Sequence, residues 1–209
     1  GRTDMAMVYS EVPAAVAGTF TTNVFKASPV IWDRNIVKGS GIAQAVVVNS
    51  GIANACTGEE GDRYCQLTAD AAAEALGINA DAVLLGSTGV IGMQLPIDKM
   101  QAGAKKLSTM LASGTEAGTA AAQAIMTTDT HKKEIAYTFT VGGRTATIGG
   151  MAKGSGMIHP NMCTMLAYVT TDAAIAQPLL QKALSEIVVD SFNMISVDGD
   201  TSTNDTLLV

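Results

Sequence analysis

Aromatic side chains are scarce in this chain, at 4% of 209 residues. A large interior must therefore be filled by small aliphatic groups, and alanine, glycine and threonine take the place of rings. Charge is also sparse, at 15%, and leans negative, with a net charge of −6 and a pI of about 4.8. No Lys/Arg cluster is long enough to follow a phosphate backbone, which argues against a nucleic-acid partner. A local cationic site could still hold an anion. The three cysteines, Cys56, Cys65 and Cys163, are too few and odd in number for a disulfide framework. With no C-x-x-C and only His131 and His159 as histidines, a structural zinc site has little to build on. The reading is a protein without metal or cofactor in a reducing, cytoplasmic setting. No apolar run reaches the roughly 18 residues of a membrane span. Gly1-Arg2-Thr3-Asp4 is neither a signal peptide nor a start with methionine, and Thr206-Leu207-Leu208-Val209 reads as a strand stopped midway. Both ends point to a piece of a longer product.

What is present is a chain with 47% apolar residues and a mean hydropathy of +0.26, enough for one large domain or two small ones. The β-branched run Gln44 to Val48 predicts a buried strand that gives way to a loop at Asn49-Ser50-Gly51. Thr68 to Leu76 is alanine-rich and predicts a helix capped at Gly77. Ala82 to Leu85 predicts a second buried strand, ending in a turn at Gly86-Ser87-Thr88-Gly89. Helices are expected over residues 97–111 and 116–126. Ile135 to Val141 and Thr145 to Ile148 predict a hairpin about Gly142-Gly143. Met165 to Thr170 predicts a strand. A last helix starts near Pro178, with Leu180, Leu184, Ile187 and Val188 as its apolar stripe. Interleaved strands and helices predict an α/β fold, a layered sandwich of mixed sheets and helices.

Several stretches carry candidate chemistry, and each has a plainer alternative. Residues 149–156 hold four glycines and Lys153, but neither a P-loop nor G-x-G-x-x-G is present; a hairpin exit serves equally well. A serine triad lacks its G-x-S-x-G elbow. Cys163 and His159 could pair, but Pro160 between them breaks the helix that would align them. A threonine needs no histidine if it is the first residue of a chain, because its own α-amine then serves as the base. Composition alone does not single out Thr164 for that role. The Gly86–Gly89 turn could aim backbone N–H groups at an oxyanion, or simply end a strand.

The residues from Lys153 to Met162, followed by Cys163-Thr164-Met165-Leu166, closely resemble the self-cleavage motif of the ornithine acetyltransferase family. So do Asn49-Ser50-Gly51 with Ala53 to Gly58, Ser87 to Gly92, and Ser196 to Asp205. These matches fall in the family's order and span nearly the whole chain. The resemblance implies a precursor that splits between Cys163 and Thr164. Residues 1–163 would then be an α-chain region and 164–209 the start of a β-chain. Thr164 would take the acetyl group of N2-acetylornithine as an ester and pass it to glutamate. Acetyl-CoA is an additional donor in many members. By the same resemblance Thr88 and Gly89 form the oxyanion hole, and Thr127, Lys153 and Thr164 contact substrate. The implied assembly is a dimer of cleaved pairs that includes the remainder of the β-chain.

Two positions depart from the family pattern. Cys163 stands where alanine is usual, and Ile52 where asparagine is expected, which puts a polar role of that loop position in question. Further substrate ligands, one of them a carboxylate, are expected beyond Val209. Two competing readings remain at this level. One is a self-cleaving aminopeptidase or amidase with the same threonine; the other is a non-enzymatic small-molecule binding domain.

Overall fold

The computed structural model of the chain describes residues 3–159 and 165–209. The predicted cleavage pair, Cys163 and Thr164, lies outside the described residues.

The N-terminal strand β1 (Met5–Ala15) pairs antiparallel with β3 (Ile42–Ile52), and β3 pairs parallel with β4 (Val83–Val90), giving a three-stranded sheet in the order β1-β3-β4. The crossover between β3 and β4 is the long helix α2 (Gly58–Leu76), so the carboxyl ends of both strands point the same way. A second sheet has five strands in the order β2-β8-β7-β6-β5. Its members are β2 (Gly18–Phe20), β5 (Lys133–Val141), β6 (Arg144–Lys153), β7 (Leu166–Thr171) and β8 (Thr206–Leu208). Only β7 and β8 pair in parallel there. Both sheets are therefore mixed.

Side-chain alternation along the strands sorts the core into layers. Val48 and Leu84 of the small sheet face Met151, Leu166, Tyr168 and Leu208 of the large one. Helix α1 (Ser28–Lys38) adds Ile36 and Val37 to this middle layer, and Ala122, Ala124 and Ile125 come from helix α4 (Thr115–Ala124) and the residue after it. The opposite face of the small sheet, with Val47, Val83 and Leu85, packs under α2 and α3 (Ile97–Ser108) through Ala69, Ala72 and Ala104. Alanines at these contacts let helix and sheet approach closely, as the shortage of rings requires. Ala167 and Leu207 on the outer face of the large sheet pack under α5 (Gln177–Ile187) and its C-cap through Leu180, Leu184 and Val188. Burial of each of these three aliphatic side chains stabilises the contact by about 1.5–3 kcal/mol. The order is helices, sheet, sheet, helix, which is the layered α/β sandwich expected.

The structure differs from the sequence-based expectation at the strand ends. Asn49-Ser50-Gly51 is not a loop, because β3 runs through it to Ile52. Gly86-Ser87-Thr88-Gly89 is not a turn either; β4 continues to Val90, with Ser50 opposite Thr88 and Gly51 opposite Gly89. Parallel pairing overrides the local turn preference of these residues. Likewise Gly149-Gly150 does not leave the hairpin but extends β6 to Lys153. Ile187 is 63% exposed and stands outside the stripe expected of α5.

Candidate active site

Three elements deliver the site. β4 brings Thr88 and Gly89, the segment after α4 brings Thr127, and the end of β6 brings Lys153. Lys153 is 3% exposed, and its ammonium donates to Thr88 Oγ1 at 3.1 Å and to Thr127 Oγ1 at 2.9 Å. The structure thus brings together three residues assigned to the site by resemblance. Asp129 stands behind them. Its Oδ1 accepts from the Gly154 amide at 2.8 Å and from Lys133 Nζ at 2.6 Å, while Oδ2 accepts from the Thr127 amide at 3.2 Å. One carboxylate therefore fixes the backbone on both sides of the lysine. Burial alone would raise the Asp129 pKa, but the Lys133 bond and the Gly154 and Thr127 amides outweigh it and hold it below the usual range. Burial pulls the Lys153 ammonium down, while Asp129 and, more weakly, Asp205 pull it back up.

The end of β4 is held rigidly from both edges. On the β3 side, Ser87 Oγ donates to Asn49 Oδ1 at 2.7 Å and accepts from the Asn54 amide at 2.9 Å. Among the described residues no strand pairs with the other edge, and side chains take its backbone groups instead. Trp32 Nε1 donates to the Val83 carbonyl, Asp33 Oδ1 accepts from the Leu85 amide, and Asn204 Nδ2 donates to the Ser87 carbonyl, at 2.8–2.9 Å. Strand alternation turns the Gly89 N–H toward this same edge. Gly89 has φ +134°, and a Cβ there would stand 2.2 Å from the Gly51 carbonyl carbon, so only glycine fits. Ile52 enters through its backbone, whose carbonyl accepts from Asn49 Nδ2 at 2.7 Å and from Ser87 Oγ at 3.2 Å. A polar side chain at position 52 is not needed for these bonds.

The segment from Ser196 to Asp205 was recognised by resemblance without roles for its residues. The structure places two of its aspartates on either side of residues 160–164. Asp198 accepts from the Met157 amide at 2.6 Å and the Ile158 amide at 3.0 Å. Asp205 Oδ1 accepts from the Met165 amide at 3.0 Å. In the sheet, Leu166 lies opposite Lys153 on one side and Thr206 on the other. The chain therefore resumes after position 164 next to the buried lysine. Asp129, Asn204 and Asp205 have no spacing signature that marks them as site neighbours. Among the described residues, no cluster of His, Cys, Asp or Glu could hold a metal, and no helix is long and apolar enough to cross a membrane.

A family model described as the ArgJ family matches residues 1–209. The chain belongs to the ArgJ family. It is 54% identical to the arginine biosynthesis bifunctional protein ArgJ of Symbiobacterium thermophilum, aligned over all of this chain and 51% of that protein. Its identity to the ArgJ of Lactococcus lactis is 53%, over 99% of this chain and 51% of the relative. The chain spans about half the length of the curated relatives it matches. Among solved structures, ArgJ from Bacillus halodurans is 40% identical with a TM-score of 0.69, covering 79% of this chain and 84% of that one. Ornithine acetyltransferase from Mycobacterium tuberculosis, solved in complex with ornithine, is 38% identical with a TM-score of 0.67, covering 78% and 84%. The ArgJ fold is thus shared at the level of sequence and of layered architecture.

Proposed function

We propose that this chain is the front part of a self-cleaving acetyltransferase that moves an acetyl group from N2-acetylornithine to glutamate. The observation that carries this reading is the meeting of Thr88, Thr127 and buried Lys153 beside the strand that begins just after Thr164. In maturation, the Thr164 hydroxyl attacks the carbonyl carbon of Cys163. The C–N bond breaks as the nitrogen takes up a proton, and water hydrolyses the resulting ester. The α-chain region is then 1–163, and the β-chain starts at 164.

In transfer, the freed α-amine takes the proton of the Thr164 hydroxyl as the oxygen attacks the acetyl carbonyl. The tetrahedral oxyanion is stabilised by the Thr88 hydroxyl and the Gly89 N–H. Losing one such donor typically costs about 10²–10³ in rate. The intermediate collapses with release of ornithine, whose nitrogen leaves with the proton. Glutamate's α-amine then attacks the acetyl-threonine ester through the same hole. An ammonium has three N–H groups, and two of those on Lys153 go to Thr88 and Thr127; the third suits a substrate carboxylate. Thr127 fixes the lysine and lines the same pocket. Acetyl-CoA is a second donor in this reading. The rest of the β-chain completes the substrate site, cleaved pairs assemble as a dimer, and the setting is cytoplasmic.

The test is the intact mass of freshly purified full-length protein. Two fragments are expected, the second starting at Thr164, and Thr164→Ala should give one chain without transfer. Cleavage of Thr164→Ala at the same bond would overturn the assignment. Discharge of the acetyl-enzyme by glutamate much faster than by water separates a transferase from an amidase.

A further inference from the structure

The carboxylate that stands behind Lys153 is ion-paired to a different lysine. Asp129 has no side-chain exposure, and Lys133, the first residue of β5, places its Nζ 2.6 Å from Oδ1. Lys133 lies opposite Ala152 in the β5–β6 register. Side chains alternate along a strand, so Lys133 leaves the sheet on the face opposite to that of Lys153. Both Asp129 and Lys133 still act on the charge of Lys153, the acid raising its pKa and the second lysine lowering it. Among the described residues no ion pair joins Asp129 and Lys153 within 4.0 Å. The two hydroxyls that hold Lys153, on Thr88 and Thr127, are neutral. Lys132 and Glu134 form their own pair and add no net charge. Asp205 also acts on Lys153, but burial lifts its pKa to about 8, so near neutrality it is mostly protonated.

What remains is one carboxylate shared among two ammoniums. The carboxylate has a geometric reason to be there. It supplies an acceptor on each oxygen, Oδ1 for the Gly154 amide and Oδ2 for the Thr127 amide, and an asparagine side chain has only one acceptor atom. The negative charge that comes with this geometry opposes an anionic substrate. Left uncompensated beside Lys153, it would cancel much of the attraction that the ammonium exerts on a substrate carboxylate. Lys133 supplies the missing positive charge and takes it up at the oxygen that holds Gly154.

We propose that Lys133 is a charge-balancing positioning residue. It neutralises Asp129, so that Asp129 can fix the Thr127 and Gly154 amides while the charge of Lys153 stays available to the carboxylate of the substrate. The inference rests on the acetylornithine reading of the Lys153 pocket given above. It makes Lys133 a determinant of affinity for anionic substrates through Asp129 and Lys153.

The test uses two variants of the full-length enzyme. Lys133→Met keeps the apolar stem and removes the charge; Lys133→Arg keeps the charge. The Lys133 side chain is 47% exposed, so both should fold. In Lys133→Met the KM for acetylornithine should rise at least about threefold at low ionic strength, with kcat changed less than about twofold, and added salt should narrow the gap. Lys133→Arg should keep the wild-type KM. N-acetyl-1,4-diaminobutane is acetylornithine without its carboxylate. As a competitor of acetylornithine it should bind wild type and Lys133→Met equally well. A smaller rise in KM overturns the proposal, because the balancing charge is then not felt. Equal weakening of the carboxylate-free compound also overturns it, because Lys133 then only supports the fold. Should Lys133→Met not fold, Lys133→Gln is read with the same two compounds. Failure of acetylornithine to bind the wild-type enzyme defeats the acetylornithine reading, and this proposal with it.

Discussion

Two buried ionisable groups stand at the same end of the large sheet and are kept in opposite ways. Lys153 is surrounded by partners: two hydroxyls accept from it, and Asp129 anchors the backbone on which it and Thr127 sit. Asp205 has one oxygen on the Met165 amide, and burial pushes its pKa up to about 8 against the pull of that amide, Ser202, Lys153 and Thr21. Buried polar groups are normally paired, so the contrast separates two kinds of site. The lysine keeps two hydroxyl acceptors from two other segments, whereas the aspartate meets a backbone amide and carries a burial cost that raises its pKa to about 8.

The comparison can be sharpened by removing one feature at a time. Thr88→Val takes one of the two hydroxyls from the lysine while keeping the shape of the side chain. It should lower kcat by about 10²–10³ in the full-length enzyme, and a loss under tenfold would take Thr88 out of the oxyanion hole. Lys153→Met keeps the apolar stem and removes the cation. A charge-assisted hydrogen bond contributes about 1.5–3 kcal/mol, so affinity for acetylornithine should fall roughly 10- to 100-fold. Unchanged affinity by calorimetry would remove Lys153 from substrate binding. Gly89→Ala tests the rigidity of the β4 end, because its methyl would collide with Gly51. Its melting temperature should drop by about 5 °C or more; an unchanged value would contradict the tight approach.

A separate, pH-dependent effect concerns Asp205 in the uncleaved Thr164→Ala background. A carboxyl whose folded pKa is raised from 3.8 to about 8 favours the folded state below the unfolded value. That contribution is lost as pH rises through the folded value. Adding Asp205→Asn should therefore raise thermal stability relative to Thr164→Ala by a margin that grows between pH 4 and pH 8 and then levels off. A margin independent of pH would mean that the carboxyl is not held protonated in the precursor.

Local signals in the sequence were sufficient for some of these features and silent on others. The β5–β6 hairpin was legible because Gly142-Gly143 supplies the positive φ at both turn positions, and the structure has them at 58° and 74°. Helices α3, α4 and α5 followed from periodicity and from Pro178. The ends of β3 and β4 were misjudged because Asn-Ser-Gly and Gly-Ser-Thr-Gly favour turns in isolation. Only their pairing with each other makes them strand, and that partner lies 38 residues away for Asn49 and Ser87. The segment holding β1 and α1 gave no expectation; the alternation of β1 is interrupted by a register shift between Tyr9 and Ala14. Thr88, Thr127 and Lys153 were named through family resemblance, since a lone threonine or lysine in a strand or loop has no signature of its own. Asp129 and Asp205 escaped because their roles exist only in three dimensions. The Gly154 amide lies 25 residues from Asp129, and the Met165 amide 40 residues from Asp205.

The most direct test is to mix the mature full-length enzyme with N2-acetylornithine, omit glutamate, quench in acid and map the peptides. The account predicts one acetyl group, as an ester, on the fragment whose first residue is Thr164, and its disappearance when glutamate is added before the quench. An enzyme that transfers acetyl groups while residues 163 and 164 remain joined, or that carries its acetyl group elsewhere, would contradict it.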